Sequence, residues 1–342
     1  MSNQTNLVEP QIAEQDRRDD DFEGAFTKKV GLINPKLGFF VNREAMEDNL
    51  FIDKKYIDMD EEESTAMACK VFDDYVELLD ENGIQTEIFT QSVKAADSVF
   101  PDWFTTARNS ILPNGVFIIS AMKTHERRKE KMKDVIEELS KRYEDVIDLT
   151  DFEKEDKFLE LKGALVTDWE NGKIYCNISE RASEEVFDYM IEELNKIAQK
   201  TGTGSIRGIK FRSFDKNGDK IYHTDCMMTL LSSHAVLCED AIKDEDERRN
   251  VIKELTDPDL NVNPKKIISI SFEESANMCS NMFDILDEND NHCVVMSKRA
   301  NEHFTEANLD TLTQNYKPIV AEIDIIENIG GGSARCMLVE LF

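Results

Sequence analysis

The sequence predicts an α/β fold, on three observations. Short apolar runs of the kind that form strands alternate with segments whose apolar residues recur at the helical spacing of i, i+3, i+4 and i+7. The alternation continues to the end of the chain without a Pro/Gly/Ser-rich linker longer than a few residues. The 342 residues are 40% hydrophobic, enough for a sizeable core. Length alone permits two domains, but the unbroken alternation favours one domain over residues 28–342. Its spacing fits a ring of small sheets as well as a doubly wound sheet.

The first half of this domain is predicted to hold strands, helices and one hairpin. The predicted elements are, in order, a strand at 31–42, a helix around 68–79, a strand at 115–120, a helix around 132–143, a hairpin at 163–179 and a helix at 183–200. Asn82-Gly83 is a typical helix end, and Asn171-Gly172 is a strong hairpin turn.

The same alternation is predicted to continue in the second half. The predicted elements are, in order, strands around 206–212 and 221–238, a helix over 243–255, a strand at 266–271, a helix over 272–286, and strands at 292–297 and 318–326 on either side of a helical stretch.

Composition excludes several classes of function. The net charge of −29 argues against a nucleic-acid or anionic-membrane partner, because such surfaces need clustered Lys and Arg. No apolar run approaches the ~20 residues that span a bilayer. Residues 1–27 have no apolar core of a secretory signal and are expected to form a disordered acidic arm. With seven cysteines in no framework spacing, the sequence predicts reduced thiols and a cytoplasmic location.

Cys336 is the first candidate for chemistry. It follows the triple glycine 330–332 and precedes apolar residues that predict a buried chain end. Glycines can bring the backbone close to a ligand or adopt positive φ, and a thiolate is a strong nucleophile. The alternative is a small buried residue after a flexible turn, since free cysteines are commonly buried.

A nucleophilic cysteine needs a base, and His223 stands out among the five histidines. It lies in KIYHTDCMMTLL, two residues before Asp225, in a run predicted to be a strand. Alternate residues of a strand face the same side, so His223 and Asp225 are expected to point together. A carboxylate beside an imidazole raises the imidazole pKa and can also bind a cation. The alternative is a histidine satisfied by local hydrogen bonds.

Four further charged residues are candidates for the same site. Glu160 leads into the Gly163 hairpin, and Asp102 lies between Pro101 and an aromatic pair. Arg181 and Arg335 are candidate anchors for a substrate carboxylate, because a guanidinium matches a carboxylate with two parallel hydrogen bonds. Each of the four could equally be a surface charge. Neither C-x-x-C nor H-E-x-x-H occurs, so no zinc site and no cofactor is predicted.

Five segments resemble the guanidine-modifying superfamily of arginine deiminases, dimethylarginine hydrolases and amidinotransferases, and most closely its amidinotransferase-like, citrulline-hydrolase branch. The resemblance covers nearly the whole chain after residue 28. The segments are GFFVNREAMEDNLF, FPDWFTTARNSILPNGVFIISAMKTHERRKEK, FLELKGALVTD with YCNISERAS, YHTDCMMTLLSSHAVLCEDAI, and IENIGGGSARCMLVELF.

This resemblance implies a five-bladed α/β propeller of ββαβ units with a central active site. It implies that Cys336 attacks a guanidinium or ureido carbon to give a thiouronium-type intermediate, without a metal. His223 would act as general acid and base, oriented by Glu160. Asp102 and Asp225 would bind the guanidinium, and Arg181 the substrate carboxylate.

The resemblance leaves three functions open. The first is a hydrolase of an arginine-like compound, and the second is an amidinotransferase that passes the same intermediate to an amine. The third is a catalytically silent homologue, because Lys162 stands where a small residue is usual and Ala107 where a histidine is usual. The expected partner is a small guanidino or ureido molecule, with a homodimer as an open alternative.

Overall fold

The computed structural model describes residues 24–47, 49 and 51–342. Most of the predicted acidic arm therefore lies outside the described residues. Thr27, at the end of that arm, is buried, and its hydroxyl donates to the Leu341 carbonyl at 2.6 Å. The packed part of the chain thus includes residues just before 28.

The described residues contain strands throughout their length. In chain order these are β1 (Lys29–Asn34), β2 (Gln85–Thr90), β3 (Phe104–Ala107), β4 (Val116–Ile119), β5 (Asp145–Asp148), β6 (Leu165–Asp168), β7 (Lys173–Asn177), β8 (Arg207–Phe211), β9 (Met228–Leu230), β10 (His234–Leu237), β11 (Lys266–Ser269), β12 (Phe283–Leu286), β13 (His292–Ser297), β14 (Lys317–Ala321) and β15 (Val339–Leu341).

Helices separate many of these strands. In chain order they are α1 (Glu61–Glu81), α2 (His125–Arg128), α3 (Lys133–Arg142), α4 (Leu161–Ala164), α5 (Glu184–Thr201), α6 (Glu245–Thr256), α7 (Phe272–Ala276), α8 (Lys298–His303), α9 (Glu306–Asn315) and α10 (Asp324–Gly330). Short 3₁₀ turns include Thr224–Cys226 and Arg335–Met337.

The described strands form five three-stranded sheets with one repeated plan. In each sheet the middle strand pairs antiparallel with one neighbour and parallel with the other. The parallel pair is joined through helical structure, as a parallel connection requires. Four sheets are contiguous in sequence, whereas the fifth pairs β1 and β2 from the start of the domain with β15 from its end. The prediction of a mixed α/β fold is confirmed.

Local sequence signals account for the confirmed elements. The Asp60 side chain accepts the Glu62 and Glu63 amides at the start of α1, and Gly83 has φ of +78° just after its end. The hairpin of β6 and β7 turns at Gly172, with φ of +62°. These are the positions that Asn82-Gly83 and Asn171-Gly172 predicted.

Four predicted elements are wrong in extent. Of 31–42, only the part up to Asn34 is a strand. The run 221–238 contains β9 and β10 preceded by a 3₁₀ turn, because the Thr224 hydroxyl donates to the Ala164 carbonyl and accepts the Asn177 amide in place of strand pairing. The helix predicted over 272–286 stops at Ala276, near Met278 with φ of +65°, and β12 follows. Of 318–326, only the part up to Ala321 is a strand.

The chain end is part of the core, as predicted. Met337, Leu338 and Val339 are fully buried, and β15 pairs antiparallel with β1. Among the described residues, no helix combines the length and apolar character needed to cross a bilayer.

Candidate active site

The triple glycine positions Cys336 by three separate requirements. A Cβ on Gly330 would lie 2.4 Å from the Phe100 ring, and Gly331, with φ of +68°, ends α10 against the Asn49 side chain. A Cβ on Gly332 would lie 3.1 Å from the Cβ of Cys336. The glycines therefore let α10 end in a tight turn that holds the cysteine in the packed interior.

The thiol of Cys336 contacts Asp225 and Asn281. Its Sγ lies 3.3 Å from Asp225 Oδ2, and Asn281 Nδ2 donates to Sγ at 3.1 Å. The Asn281 Oδ1 accepts the Cys336 amide at 3.3 Å, which fixes the turn. Burial raises the pKa of the Cys336 thiol well above its ordinary value, and the charges of Asp225 and Asp102 raise it further. The thiol is therefore protonated in the unliganded protein.

His223 and Glu160 form a buried pair near Asp225, the carboxylate that contacts the thiol. His223 Nε2 lies 2.9 Å from Glu160 Oε2, and the Lys123 amide donates to Oε1 at 3.1 Å. Burial opposes ionisation of Glu160, but Arg181 and the His223 hydrogen bond outweigh it and hold the pKa of Glu160 far below its ordinary value. The imidazole is thus held by an ionised carboxylate.

The prediction that His223 and Asp225 share a strand face is wrong, although both side chains reach the site. They flank the start of the 3₁₀ turn, where His223 turns toward Glu160 and Asp225 toward Cys336. The backbone of α4 passes directly against the imidazole, since a Cβ on Gly163 would lie 2.0 Å from His223 Nδ1. Gly163, the first residue of the predicted hairpin, therefore makes room for the imidazole.

Arg181 is placed behind the histidine-carboxylate pair. Its Nη1 lies 3.3 Å from Glu160 Oε2, its guanidinium packs 4.6 Å from the centre of the Tyr222 ring, and it is 1% exposed. The contact of Arg181 with Glu160 helps to keep the Glu160 carboxylate ionised.

Asp102 belongs to a second buried charged cluster. Its Oδ2 accepts Arg127 Nη1 at 2.8 Å, and Arg127 also donates to Glu130. Asp97 lies near the same arginine and accepts Asn42 Nδ2 at 2.7 Å. Among the described residues, Oδ1 of Asp102 and Oδ1 of Asp97 are buried without a hydrogen-bond partner. Such orphaned acceptors call for an explanation, and a cationic ligand supplies one.

Arg335 points into the protein beneath Asp225. Its Nη2 donates to the Leu165 carbonyl at 3.0 Å, its Nη1 donates to the Lys162 carbonyl at 3.4 Å, and Nη1 lies 3.8 Å from Asp225 Oδ2. Burial raises the pKa of Asp225, and the Arg335 charge opposes that rise. Arg335 thus supplies a counter-charge under the carboxylate that contacts the thiol.

The thiol and the imidazole are nearly buried in this structure. Cys336 is 8% exposed and His223 is 4% exposed. A cavity of about 50 Å³ is lined by Arg335, Glu340 and Phe283 among others, but not by Cys336 or His223.

Sequence reasoning missed Asn281, Asp97 and Arg127. Asn281 is 55 residues from Cys336 in sequence, and the two meet only through the fold. Arg127 lies in the charged run KTHERRKEK, where nothing distinguishes it from its charged neighbours. Asp97 did carry a usable signal, because it lies in AADSVF, where an acidic residue stands among small and apolar neighbours.

A family model confirms the predicted superfamily. The model described as eukaryotic N,N dimethylarginine dimethylhydrolase matches residues 35–342. Within that superfamily, the matching family is that of the dimethylarginine hydrolases. No curated protein sequence matches the chain.

Solved structures share the fold at low sequence identity. Apo ArgZ, an arginine dihydrolase from the ornithine-ammonia cycle in cyanobacteria, is 14% identical with a TM-score of 0.66, over 91% of this chain and 40% of ArgZ. The chain thus spans about two fifths of that protein's length. A substrate-bound mutant of the ArgZ N-terminal domain has a TM-score of 0.65 and 15% identity, over 91% of this chain and 97% of that one.

A dimethylarginine dimethylaminohydrolase has the same fold. A mutant of that enzyme, in an adduct with S-methyl-L-thiocitrulline, is 16% identical with a TM-score of 0.57, over 92% of this chain and 100% of that one.

Proposed function

Since the chain belongs to the eukaryotic N,N dimethylarginine dimethylhydrolase family, we propose that it is a cysteine-dependent hydrolase of an arginine-like guanidino substrate. The observation that carries this proposal is the contact between the Cys336 thiol and Asp225, which follows His223 by two residues in the sequence. His223 in turn forms a buried pair with Glu160. The five sheets are the blades of a five-bladed propeller around this site, and residues 28–342 act as one catalytic domain.

Three carboxylates bind the substrate cation. Asp225 faces the thiol, and Asp102 and Asp97 each keep one buried oxygen that has no partner among the described residues. A planar guanidinium has several N–H donors, and it satisfies such acceptors with charge-assisted hydrogen bonds. Substrate binding therefore removes the cost of leaving these oxygens unpaired in the interior.

The bound cation activates the thiol. In the free protein, burial and two carboxylates favour the protonated sulfur. A guanidinium between these carboxylates offsets part of their negative charge and places a positive charge beside the sulfur, which lowers the thiol pKa. Deprotonation of Cys336 thus accompanies correct binding, and a non-cationic molecule does not trigger it.

The chemistry proceeds through a covalent intermediate. The thiol proton passes to His223 as Sγ of Cys336 bonds to the guanidinium carbon, and His223 then protonates the leaving amine as the C–N bond breaks. His223 next removes a proton from water, which attacks the thiouronium carbon. The C–S bond breaks, the sulfur regains a proton, and a ureido product leaves. Glu160 stabilises the protonated imidazole in both halves.

The test is a substrate panel with the nucleophile variant as control. Arginine, methylated arginines, agmatine and citrulline are incubated with the protein and with Cys336→Ser, while ureido product, amine and ammonia are measured. We expect a ureido product from a guanidino compound alone, with wild type only. Product that forms only with an added amine acceptor would show that the protein is an amidinotransferase instead. No product from any member would contradict the enzyme proposal.

A further inference from the structure

Lys162 is a buried lysine that the proposed chemistry does not use. It is 4% exposed, although it stands in α4, one residue before the glycine that packs on His223. Its Nζ donates to Glu340 Oε2 at 2.6 Å and lies 4.9 Å from the centre of the Phe283 ring. The side chain therefore extends to β15 and β12, and it leaves the imidazole unobstructed.

Lys162 and Glu340 lie next to the guanidinium of Arg335. Arg335 donates to the backbone carbonyl of Lys162, and Arg335 and Glu340 line the same small cavity. The charges of Glu340, Arg335 and Asp102 all act on Lys162. Two cations and two carboxylates thus form two neighbouring pairs, Lys162 with Glu340 and Arg335 with Asp225.

The arrangement allows Arg335 to exchange partners. Arg335 lies 3.8 Å from Asp225, a loose contact, whereas Lys162 and Glu340 are in close contact at 2.6 Å. If Lys162 lost its charge, Glu340 would become a partly buried carboxylate without its counter-ion, which is unfavourable. Arg335 is the adjacent cation that could neutralise it, and it would do so at the expense of Asp225.

We propose that Lys162 is a positioning residue which, by neutralising Glu340, keeps Arg335 on Asp225 and so keeps Asp225 charged for the substrate cation. The proposal rests on the proposed function for its substrate, but not for its geometry. Lys162, which departs from the small residue usual at this point of the motif, then supports the reaction. It touches neither substrate nor nucleophile.

Two matched alkylating reagents test this proposal without turnover. 2-Chloroacetamidine is cationic and 2-chloroacetamide is its neutral counterpart, and the ratio of their rates at Cys336, followed by peptide mass spectrometry, reports the negative charge around the thiol. In Lys162→Met we expect this ratio to fall roughly tenfold or more, and KM for a cationic substrate to rise more than kcat falls. The exposed lysine variant Lys154→Met is the control and keeps the wild-type ratio.

Charge compensation separates this role from packing. In the double variant Lys162→Met with Glu340→Gln no unpaired carboxylate remains, so Arg335 stays on Asp225 and the ratio returns to within about threefold of wild type. A double variant no more selective than Lys162→Met, or a folded Lys162→Met with an unchanged ratio, would overturn the proposal. If Lys162→Met does not fold, the ratio in the double variant decides alone. The two proposals can fail separately. If wild type turns over no guanidino compound, but the alkylation ratio still falls in Lys162→Met and returns in the double variant, the proposed function is refuted and the positioning role is supported.

Discussion

At the scale of single residues, Asp225 holds two opposing roles. It accepts the thiol hydrogen bond of Cys336, and its charge adds to the effect of burial in raising the pKa of that thiol, which disfavours the thiolate. In the function proposed above, the same carboxylate binds the substrate cation, whose positive charge then lowers the thiol pKa. Coupling both roles to one group makes the reactivity of the sulfur depend on the charge of the ligand.

Replacing Asp225 separates the two roles. In Asp225→Asn the negative charge beside Cys336 is removed, so the thiol pKa falls and neutral chloroacetamide reacts at lower pH than with wild type. Turnover of a guanidino substrate falls, because a charge-assisted hydrogen bond worth about 1.5–3 kcal/mol is lost, roughly 10- to 150-fold in kcat/KM. A pH profile of alkylation and steady-state kinetics measure the two effects, with the exposed Asp310→Asn as control.

A contrary outcome is easy to recognise. If Asp225→Asn shifts the alkylation profile to higher pH, Asp225 stabilises the thiolate, and the proposal that it raises the thiol pKa is wrong. If this variant has the same kcat/KM as wild type, Asp225 does not bind the substrate.

Residue types and motifs in the sequence predicted Cys336, His223 and Glu160, and the fold brings them into one buried neighbourhood. Cys336 follows three consecutive glycines and His223 precedes Asp225 by two residues, so both can be picked out in the sequence, whereas the role of Glu160 came from the family resemblance. Contacts such as Arg127 with Asp102 were not predictable, since they depend on how a helix start packs against another loop.

At the scale of elements, the shortest ones shape the site. The four-residue helix α4 places the backbone of Gly163 against the His223 ring, while the 3₁₀ turn Thr224–Cys226 is held by the Thr224 hydroxyl on the Ala164 carbonyl. Two short turns from different sheets thereby fix one imidazole. Hydrophobic periodicity does not detect turns of this length, so the sequence predicted a strand here.

A methyl group at position 163 should displace the imidazole. In Gly163→Ala the new Cβ would lie 2.0 Å from Nδ1 of His223, far inside contact distance, so the ring must move away from Glu160. We expect activity to fall to the level of His223→Ala while the circular dichroism spectrum stays native. Gly24→Ala is the matched control, because its Cβ would meet atoms no closer than 3.6 Å. A fully active Gly163→Ala would refute this placement of the histidine.

At the scale of the whole molecule, the two ends of the domain meet in one sheet. β15 pairs with β1, the strand that opens the domain, and Cys336 lies on the turn that precedes β15. Cys336 therefore lies beside the sheet that joins the last strand to the first. Alternating strands and helices predicted the class of fold and the buried end. They did not predict this long-range pairing, because periodicity is a local property of the chain.

Closure of this sheet should contribute measurably to stability. Val339 is fully buried in β15, and Val339→Ala removes two methyl groups from the core at a cost of about 2 kcal/mol in the free energy of unfolding. Val262 is 92% exposed, so Val262→Ala should change that free energy by less than about 0.5 kcal/mol. Urea denaturation of both variants measures the difference, and equal effects would contradict a structural role for β15.

Trapping the covalent intermediate tests the central claim most directly. Wild type, incubated with the guanidino compound that it hydrolyses and quenched in acid during turnover, is analysed by peptide mass spectrometry. We predict an added mass on the peptide that contains Cys336, because the thiouronium intermediate forms before water attacks it, and none in Cys336→Ser. A substrate that wild type hydrolyses while Cys336→Ser retains equal activity, with no adduct on that peptide in wild type, would contradict the account.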